Sequence, residues 1–281
     1  MDYKFVFCIL TYRNINDIQE CLESIQEKIT DNYKVIIVNG YYDDITTLEL
    51  RKIAKRFNAE FIEVENKGYG YGNNCGIDNA LKNYNFKYLI VSNPDIIIKK
   101  FNSYFLDVYP QYIVAPEIRT RKGKAQNPYW YRENKFAEKL IYVGYKKKRK
   151  FLLYTGFAIT KAERILALLR FKISKKSAME VYAAHGSFLI LPYNVVNVIK
   201  PLYDEKMFLF AEENYISHVL AFKGYKTIYT PEISVLHKEN GSIRIAKIDE
   251  NDIARKSVIY YYEKLFQKEK EIKDGKKSGL R

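Results

Sequence analysis

The chain has 281 residues, of which 47% are hydrophobic and 28% charged, and carries a net charge of +14. That length and balance suffice for a buried core and exclude a disordered tail or a collagen-like protein. Three cysteines (Cys8, Cys21 and Cys75) without metal-type spacing exclude a disulfide scaffold and point to a reducing compartment.

In chain order, KFVFCIL (4–10) reads as a strand, and Ile18, Cys21, Leu22 and Ile25 then fall on one face of a helix. KVIIVNG (34–40) is a continuous apolar run and predicts a buried strand. Thr46-x-x-Glu49 has the form of a capping box, opening a helix with Leu50, Ile53, Ala54 and Phe57 inward. FIEVEN (61–66) is a third strand, and GNNCGIDNALKNY (72–84) holds a helix with Ile77, Ala80, Leu81 and Tyr84 on one side. KYLIVSNPD (87–95) and YIVAPEI (112–118) are a fourth and a fifth strand. Buried strands alternating with helices mean an α/β fold with a mostly parallel central sheet.

From about residue 117 the alternation stops. Residues 117–180 carry +13, against −2 for 1–116, 0 for 181–246 and +3 for 247–281. A field concentrated in this way attracts anionic lipid, diphosphate-bearing substrates or nucleic acid, unless the segment is only a solvated face. KKKRK (146–150) abuts FLLYTGFAIT, and the following KAERILALLRFKISKK mixes Ile165, Leu166, Leu168, Leu169, Phe171 and Ile173 with Arg164, Arg170, Lys172 and Lys175. Such a helix suits either a membrane interface or the surface of the core; the adjoining lysines and aromatics favour membrane contact. Regular structure resumes with a strand in HGSFLILP, a helix EENYISHVLAFKG ended by Gly224, short strands KTIYTP and EISVLH, and a helical tail over 252–272. No apolar run reaches the ~20 residues of a bilayer span. The start of the chain has no cleavage-site signature, so a cytoplasmic protein is expected.

Four constellations can carry chemistry. Asn93-Pro94-Asp95 ends an apolar strand, where α/β sheets place their ligands, and Asp95 there could bind a divalent cation; a plain Asn-Pro turn is the alternative. ENKGYGYGNNCG (65–76) offers glycines for close backbone approach to a ligand and the amides of Asn73 and Asn74, or is a glycine-rich turn into a helix. It resembles a dinucleotide fingerprint only weakly, because it follows the third strand rather than the first. Glu212 and Glu213 open a helix, where negative charge is favoured, yet their proximity could raise one carboxyl toward use as a base. His237 ends an apolar strand, as Asp95 follows one, so the two could share a metal.

Taken in order, FCILTYRNINDIQECLESI, KVIIVNGYYDD, ENKGYGYGNNCGI, VSNPDIII, HGSFLI, FLFAEEN and GYKTIYTPEISVLHKENGS resemble the inverting glycosyltransferases of family 2. The likeness is greatest to the rhamnosyltransferase-like enzymes of bacterial surface polysaccharide synthesis and covers about 1–116 and 181–245. It implies a GT-A fold with a basic, membrane-facing insertion and a helical C-terminal tail. The four segments become a nucleotide-sugar-binding half (1–116), an insertion (117–180), an acceptor and catalytic half (181–246) and a tail (247–281). By the same resemblance, Thr11, Tyr12, Asn39, Asp44, Gly72, Asn73, Asn74 and Asn93 would bind a nucleotide-diphosphate sugar. Asn39 and Asn93 stand where the family usually has Asp. Asp95 and His237 would hold Mn²⁺ or Mg²⁺, Glu213 would be the catalytic base with Glu212 beside it, and Gly186 and Ser187 would lie under the acceptor sugar. The expected partners are the donor, a lipid-linked glycan and the anionic inner face of the plasma membrane, with nucleic acid not expected. The competing expectations are a non-enzymatic membrane or nucleic-acid binder, an inactive glycosyltransferase fold and, last, a Rossmann oxidoreductase.

Overall fold

A computed structural model describes residues 2–239 and 250–278, with side chains over 2–239 and 251–265. The end of the last quoted motif, Asn240 to Ser242, lies outside the described residues. In order, the elements are β1 (Asp2–Thr11), α1 (Ile15–Lys28), β2 (Tyr33–Gly40), α2 (Asp44–Arg56), β3 (Glu60–Val64), α3 (Tyr69–Asn83), β4 (Asn85–Ser92), β5 (Ile96–Phe101), α4 (Ser103–Val108) and β6 (Ile113–Thr120). The basic segment forms α5 (Lys135–Lys146), α6 (Lys150–Ser174) and β7 (Met179–Val181). The chain continues through β8 (Phe188–Pro192), α7 (Tyr193–Val198), α8 (Glu212–Phe222) and β9 (Thr227–His237) to a last helix, α9 (Glu250–Ser278).

One sheet joins the two ends of the chain in the order β3-β2-β1-β4-β8-β6-β9-β5, with β7 on β9. Its first four strands are parallel, as βαβ units require. Beyond β4 the sheet is mixed: β8 enters antiparallel to β4 and to β6, β6 runs parallel to β9, and β5 and β7 pair antiparallel with β9. Alternation along the strands separates two cores. Phe5, Phe7, Ile9, Val35 and Ile37 face α1 and α2, packing on Ile18, Leu22, Ile25 and Leu50. Val6, Cys8, Ile36 and Val38 face the opposite side, toward Ile77 and Ala80 of α3. Burial pushes the Cys8 and Cys21 thiols up to about 12, so both serve as small apolar packing groups.

Several local expectations change. Helix α2 opens one turn before the Thr46–Glu49 pair, because the Asp43 carboxylate accepts the Thr46 N–H at 2.7 Å and is the actual cap. Helix α3 begins at Tyr69, so Gly70, Gly72 and Gly76 lie within it rather than in a loop. Their lack of a side chain lets α3 sit close on the sheet: a Cβ at 76 would fall 2.2 Å from Cys8 Sγ, and one at 72 would fall 2.5 Å from Leu10 Cδ1. KTIYTP and EISVLH form one strand, bent where its register to β6 shifts around Pro231. The basic segment folds as a helical hairpin. Gly144 and Gly156 allow its close approach, since added Cβ atoms would lie 2.6 Å from Leu153 N and from Ile141 Cγ1. Among the described residues no helix is long and apolar enough to cross a membrane.

Candidate active site

The turn Asn93-Pro94-Asp95 leaves β4 at its carboxyl end and is clamped from two sides. Asn93 N–H donates to Ser187 O at 2.8 Å, and Lys238 N–H donates to Asp95 O at 3.0 Å. Strand β5 then pairs with β9 so that Ile96 lies opposite His237. This register brings Asp95 to His237, with Oδ2 3.4 Å from Nε2, and a slip of one residue would turn the imidazole to the other face. Lys238 secures the same corner from below, with Nζ 2.5 Å from Asp17 Oδ1 and 3.0 Å from Glu20 Oε2 on α1.

His237 Nδ1 lies 2.8 Å from Gln126 Oε1, and Gln126 Nε2 donates to Glu239 Oε1 at 3.1 Å. The amide oxygen only accepts, so Nδ1 carries the proton and Nε2 is presented to Asp95. A carboxylate beside an imidazole whose other nitrogen is tied suits a divalent cation of the Mn²⁺ or Mg²⁺ type. Among the described residues no three His, Cys, Asp or Glu side chains form a cage. Such an ion would therefore take two protein ligands here and fill its shell with phosphate oxygens and water.

The carboxylate pair arrives from the other direction. Phe210 and Ala211, with φ of 72° and 69°, are consecutive left-handed residues before α8, a backbone that costs about 1–2 kcal/mol per residue. The turn points Glu212 and Glu213 inward, Glu212 buried and Glu213 half-buried. Gly186 N–H donates to Glu213 Oε1 at 3.3 Å, whereas Glu212 Oε1 has no hydrogen-bond partner among the described residues. Burial raises both carboxyls above their ordinary range. For Glu212 burial is joined by the neighbouring charge of Glu213, while for Glu213 burial is opposed by backbone N–H donors, including that of Gly186. The pair thus separates in order, with Glu213 ionising before Glu212. Nearby, burial and then the His237 ring lower His185 to about 3, keeping it neutral; its Nδ1 lies 2.9 Å from Ser187 Oγ.

Two adjoining cavities collect these groups. The larger, about 510 Å³, is lined by Glu212, Glu213, His185, Gly186, Ser187 and His237, among others. The smaller, about 180 Å³, is lined by Thr11, Tyr12, Gly72, Pro94 and Asp95. Tyr69, Asn93 and Leu209 belong to both walls, and Tyr69 donates its hydroxyl to Gly186 O at 2.9 Å. Thr11 Oγ1 is buried without a hydrogen-bond partner among the described residues.

Ten of the fourteen residues singled out from the sequence thus line one or both cavities. The other four line neither. Asn39 is buried, its Nδ2 3.1 Å from Thr47 Oγ1 and 3.5 Å from Glu63 Oε2. Asp44 is exposed and accepts from Tyr41 Oη. Asn73 donates to Tyr69 O within α3. Asn74 donates to Tyr203 O and Glu205 and accepts the Tyr203 N–H, tethering the 203–205 loop. Tyr69, His185 and Gln126 were missed. Tyr69 was hidden in the glycine run, and nothing local marks Gln126, whose partner lies 111 residues away.

Residues 6–161 match the family described as Glycosyl transferase family 2. No curated protein matches the chain. Among solved structures, S. aureus TarS superposes with a TM-score of 0.56 at 14% identity, over 84% of this chain and 36% of that one. GalNAc-T7, solved with UDP, GalNAc and Mn²⁺, gives 0.58 at 13% identity over 89% and 49%. The mannosyltransferase PcManGT from Pyrobaculum calidifontis, in complex with GDP-Man and Mn²⁺, gives 0.53 at 14% over 87% and 60%. The chain therefore spans only about a third to three-fifths of the length of these proteins. At such identities the likeness is one of fold, and that fold is GT-A. Because the family match extends over more than half of its residues, the chain belongs to glycosyl transferase family 2.

Proposed function

We propose that the protein moves a sugar, with inversion, from a nucleotide-diphosphate donor to a hydroxyl of a lipid-linked glycan during bacterial surface polysaccharide assembly. One observation carries this: Glu213 and His237 border one cavity, Asp95 borders its neighbour within 3.4 Å of His237, and the two cavities meet at Asn93 and Tyr69. A donor whose diphosphate lies by Asp95 would extend its sugar toward Glu213. TarS has been solved with UDP and with UDP-GlcNAc, and PcManGT with GDP-Man, which supports this donor class.

In the proposed reaction Glu213 takes the proton of the acceptor hydroxyl. The acceptor oxygen bonds to the anomeric carbon as its bond to the donor diphosphate breaks, and the proton stays on the Glu213 carboxyl. Asp95 and His237 would hold a Mn²⁺ or Mg²⁺ ion, which would supply positive charge to a leaving diphosphate. Glu212, which ionises after Glu213, adds less charge against the sugar. Thr11 and Tyr12 border the nucleoside, and Asn93 lies between the two reactants. Gly186 leaves room at Glu213, since a Cβ there would come within 3.2 Å of Oε1.

The basic hairpin supports a place on the inner face of the plasma membrane. Helix α6 exposes Phe151, Tyr154, Ile165, Leu166, Leu169 and Ile173, and it follows directly on the basic run 146–150.

A thermal-shift series of nucleoside diphosphates and nucleotide sugars, with and without Mn²⁺, tests the donor. Ligand at 100 times its Kd should stabilise the fold by about 2.7 kcal/mol. If no nucleotide shifts the melting temperature in the presence of Mn²⁺, the proposal fails.

A further inference from the structure

Helix α9 packs on α5 and roofs the larger cavity. Tyr142 and Tyr262 stack with ring centroids 4.1 Å apart. Glu263 accepts from Tyr142 Oη at 2.9 Å and from Lys146 Nζ at 2.7 Å, and Tyr261 donates to Glu138. Beneath this roof Tyr129, Trp130, Tyr145, Phe157, Tyr261 and Tyr262 line the cavity. The cavity therefore combines carboxylates and imidazoles with a wall of rings carried by α5, α6, α9 and the segment before α5.

A sugar presents hydroxyls at its edge and a C–H face that stacks on aromatic rings, so this combination suits a glycoside. The volume of about 510 Å³ lies within the ~300–1,000 Å³ of cavities that take drug-sized ligands. One ring of this wall reaches the surface. Phe157 lines the cavity yet is 39% exposed, on the same helix as the exposed Phe151 and Tyr154.

Resting on the transferase function proposed above, we propose that this aromatic wall is the acceptor subsite and takes a glycoside with an apolar aglycone. The sugar hydroxyl lies at Glu213, and the aglycone leaves past Phe157 toward the exposed face of α6. The hairpin and the C-terminal helix thus select the acceptor rather than the donor.

Trp130 is the sole tryptophan and is 6% exposed, so its emission reports on this wall and not on the outside of α6. The full-length protein is titrated with octyl glucoside, galactoside, mannoside and N-acetylglucosaminide below their micelle concentrations, and with the free sugars and octanol. At least one octyl glycoside should change Trp130 emission saturably, at a concentration at least tenfold below that of its sugar or of octanol. Ala254→Phe, which fills the cavity from α9, and Tyr262→Leu should each weaken that response tenfold or more. Silence of Trp130 to all four glycosides overturns the subsite, as does octanol binding equally well or a response that neither substitution weakens. The nucleotide-diphosphate melting shift with Mn²⁺, measured on the same samples, reads the donor side separately. Its loss overturns the transferase function, and its presence beside a silent Trp130 overturns the subsite alone.

Discussion

Glu213→Gln should destroy activity and strengthen the fold at the same time. The amide keeps the side-chain shape and an oxygen for the Gly186 N–H, so position and packing survive. It removes the proton acceptor, which for a general base costs ~10²–10⁴ in rate, or about 2.7–5.4 kcal/mol of transition-state stabilisation. It also removes a negative charge from beside Glu212, whose carboxyl is held high partly by that charge. A carboxyl raised by folding stabilises the native state below its unfolded pKa and withdraws that support as pH rises through its folded value. At neutral pH the wild type therefore carries a penalty that the variant lacks, and the penalty disappears on acidification. We expect the variant to melt higher than the wild type at pH 7.5, each 1 kcal/mol gained raising Tm by about 2–4 °C for a chain of this size, with the gain shrinking as the pH falls toward about 4. Parallel calorimetry and turnover assays across pH check both halves. Near-normal turnover removes Glu213 as the base, and a variant that melts lower at pH 7.5 than the wild type refutes the electrostatic argument.

Wild-type turnover should fall with acid at a higher pH than an exposed glutamate would give, because burial raises Glu213; a pH–rate profile of kcat reads this. Asp95→Asn should abolish the Mn²⁺-dependent part of the nucleotide-diphosphate melting shift while leaving the unliganded Tm within a few degrees; an unchanged shift would remove Asp95 as a ligand. Gly76→Ala should destabilise by about 1–3 kcal/mol in urea melts, because its Cβ would strike Cys8 Sγ and Val38 Cγ2 in the core. Replacing the five basic residues 146–150 by glutamine should abolish salt-sensitive binding to anionic liposomes; equal binding of the wild type to neutral and anionic liposomes would refute a membrane-facing hairpin.

What could be read from the sequence was what local periodicity encodes. Strands β1, β2 and β4 are near-continuous apolar runs, and four of the five apolar residues of α1, at 18, 21, 22 and 25, are buried. The order of motifs brought Asp95, His237 and Glu213 into view, yet their meeting depends on the β5–β9 register, which no local pattern carries. Strand β5 itself went unseen: IIIKKF follows the Asn-Pro-Asp turn without a break, and its partner lies more than a hundred residues downstream. The glycines of α3 were read as open to a ligand, whereas most of their purpose is contact with Cys8, Leu10 and Tyr203. Asn74 fails for the same reason in reverse, since an amide that can bind a ligand can equally tie down a loop, and sequence does not distinguish the two.

The backbone before α8 favours the active enzyme proposed above over a fold that has lost its chemistry. A helix can be started at no cost by an extended residue with a capping side chain, as Asp43 does for α2. Here the chain instead places Phe210 and Ala211 in the left-handed region, leaves the helix without a side-chain cap, and sets two adjacent carboxyl groups behind the turn, Glu212 buried and Glu213 half-buried. Each choice opposes stability, and one substitution at Glu212 or Glu213 would relieve part of the burden. A strained turn that holds two adjacent carboxyl groups beside a cavity fits the proposed proton acceptor, and packing alone gives no reason to retain it. Asn39 and Asn93 do not weigh against this. Asn39 lines neither cavity, and Asn93 joins the two cavities through a backbone clamp that does not require a carboxylate.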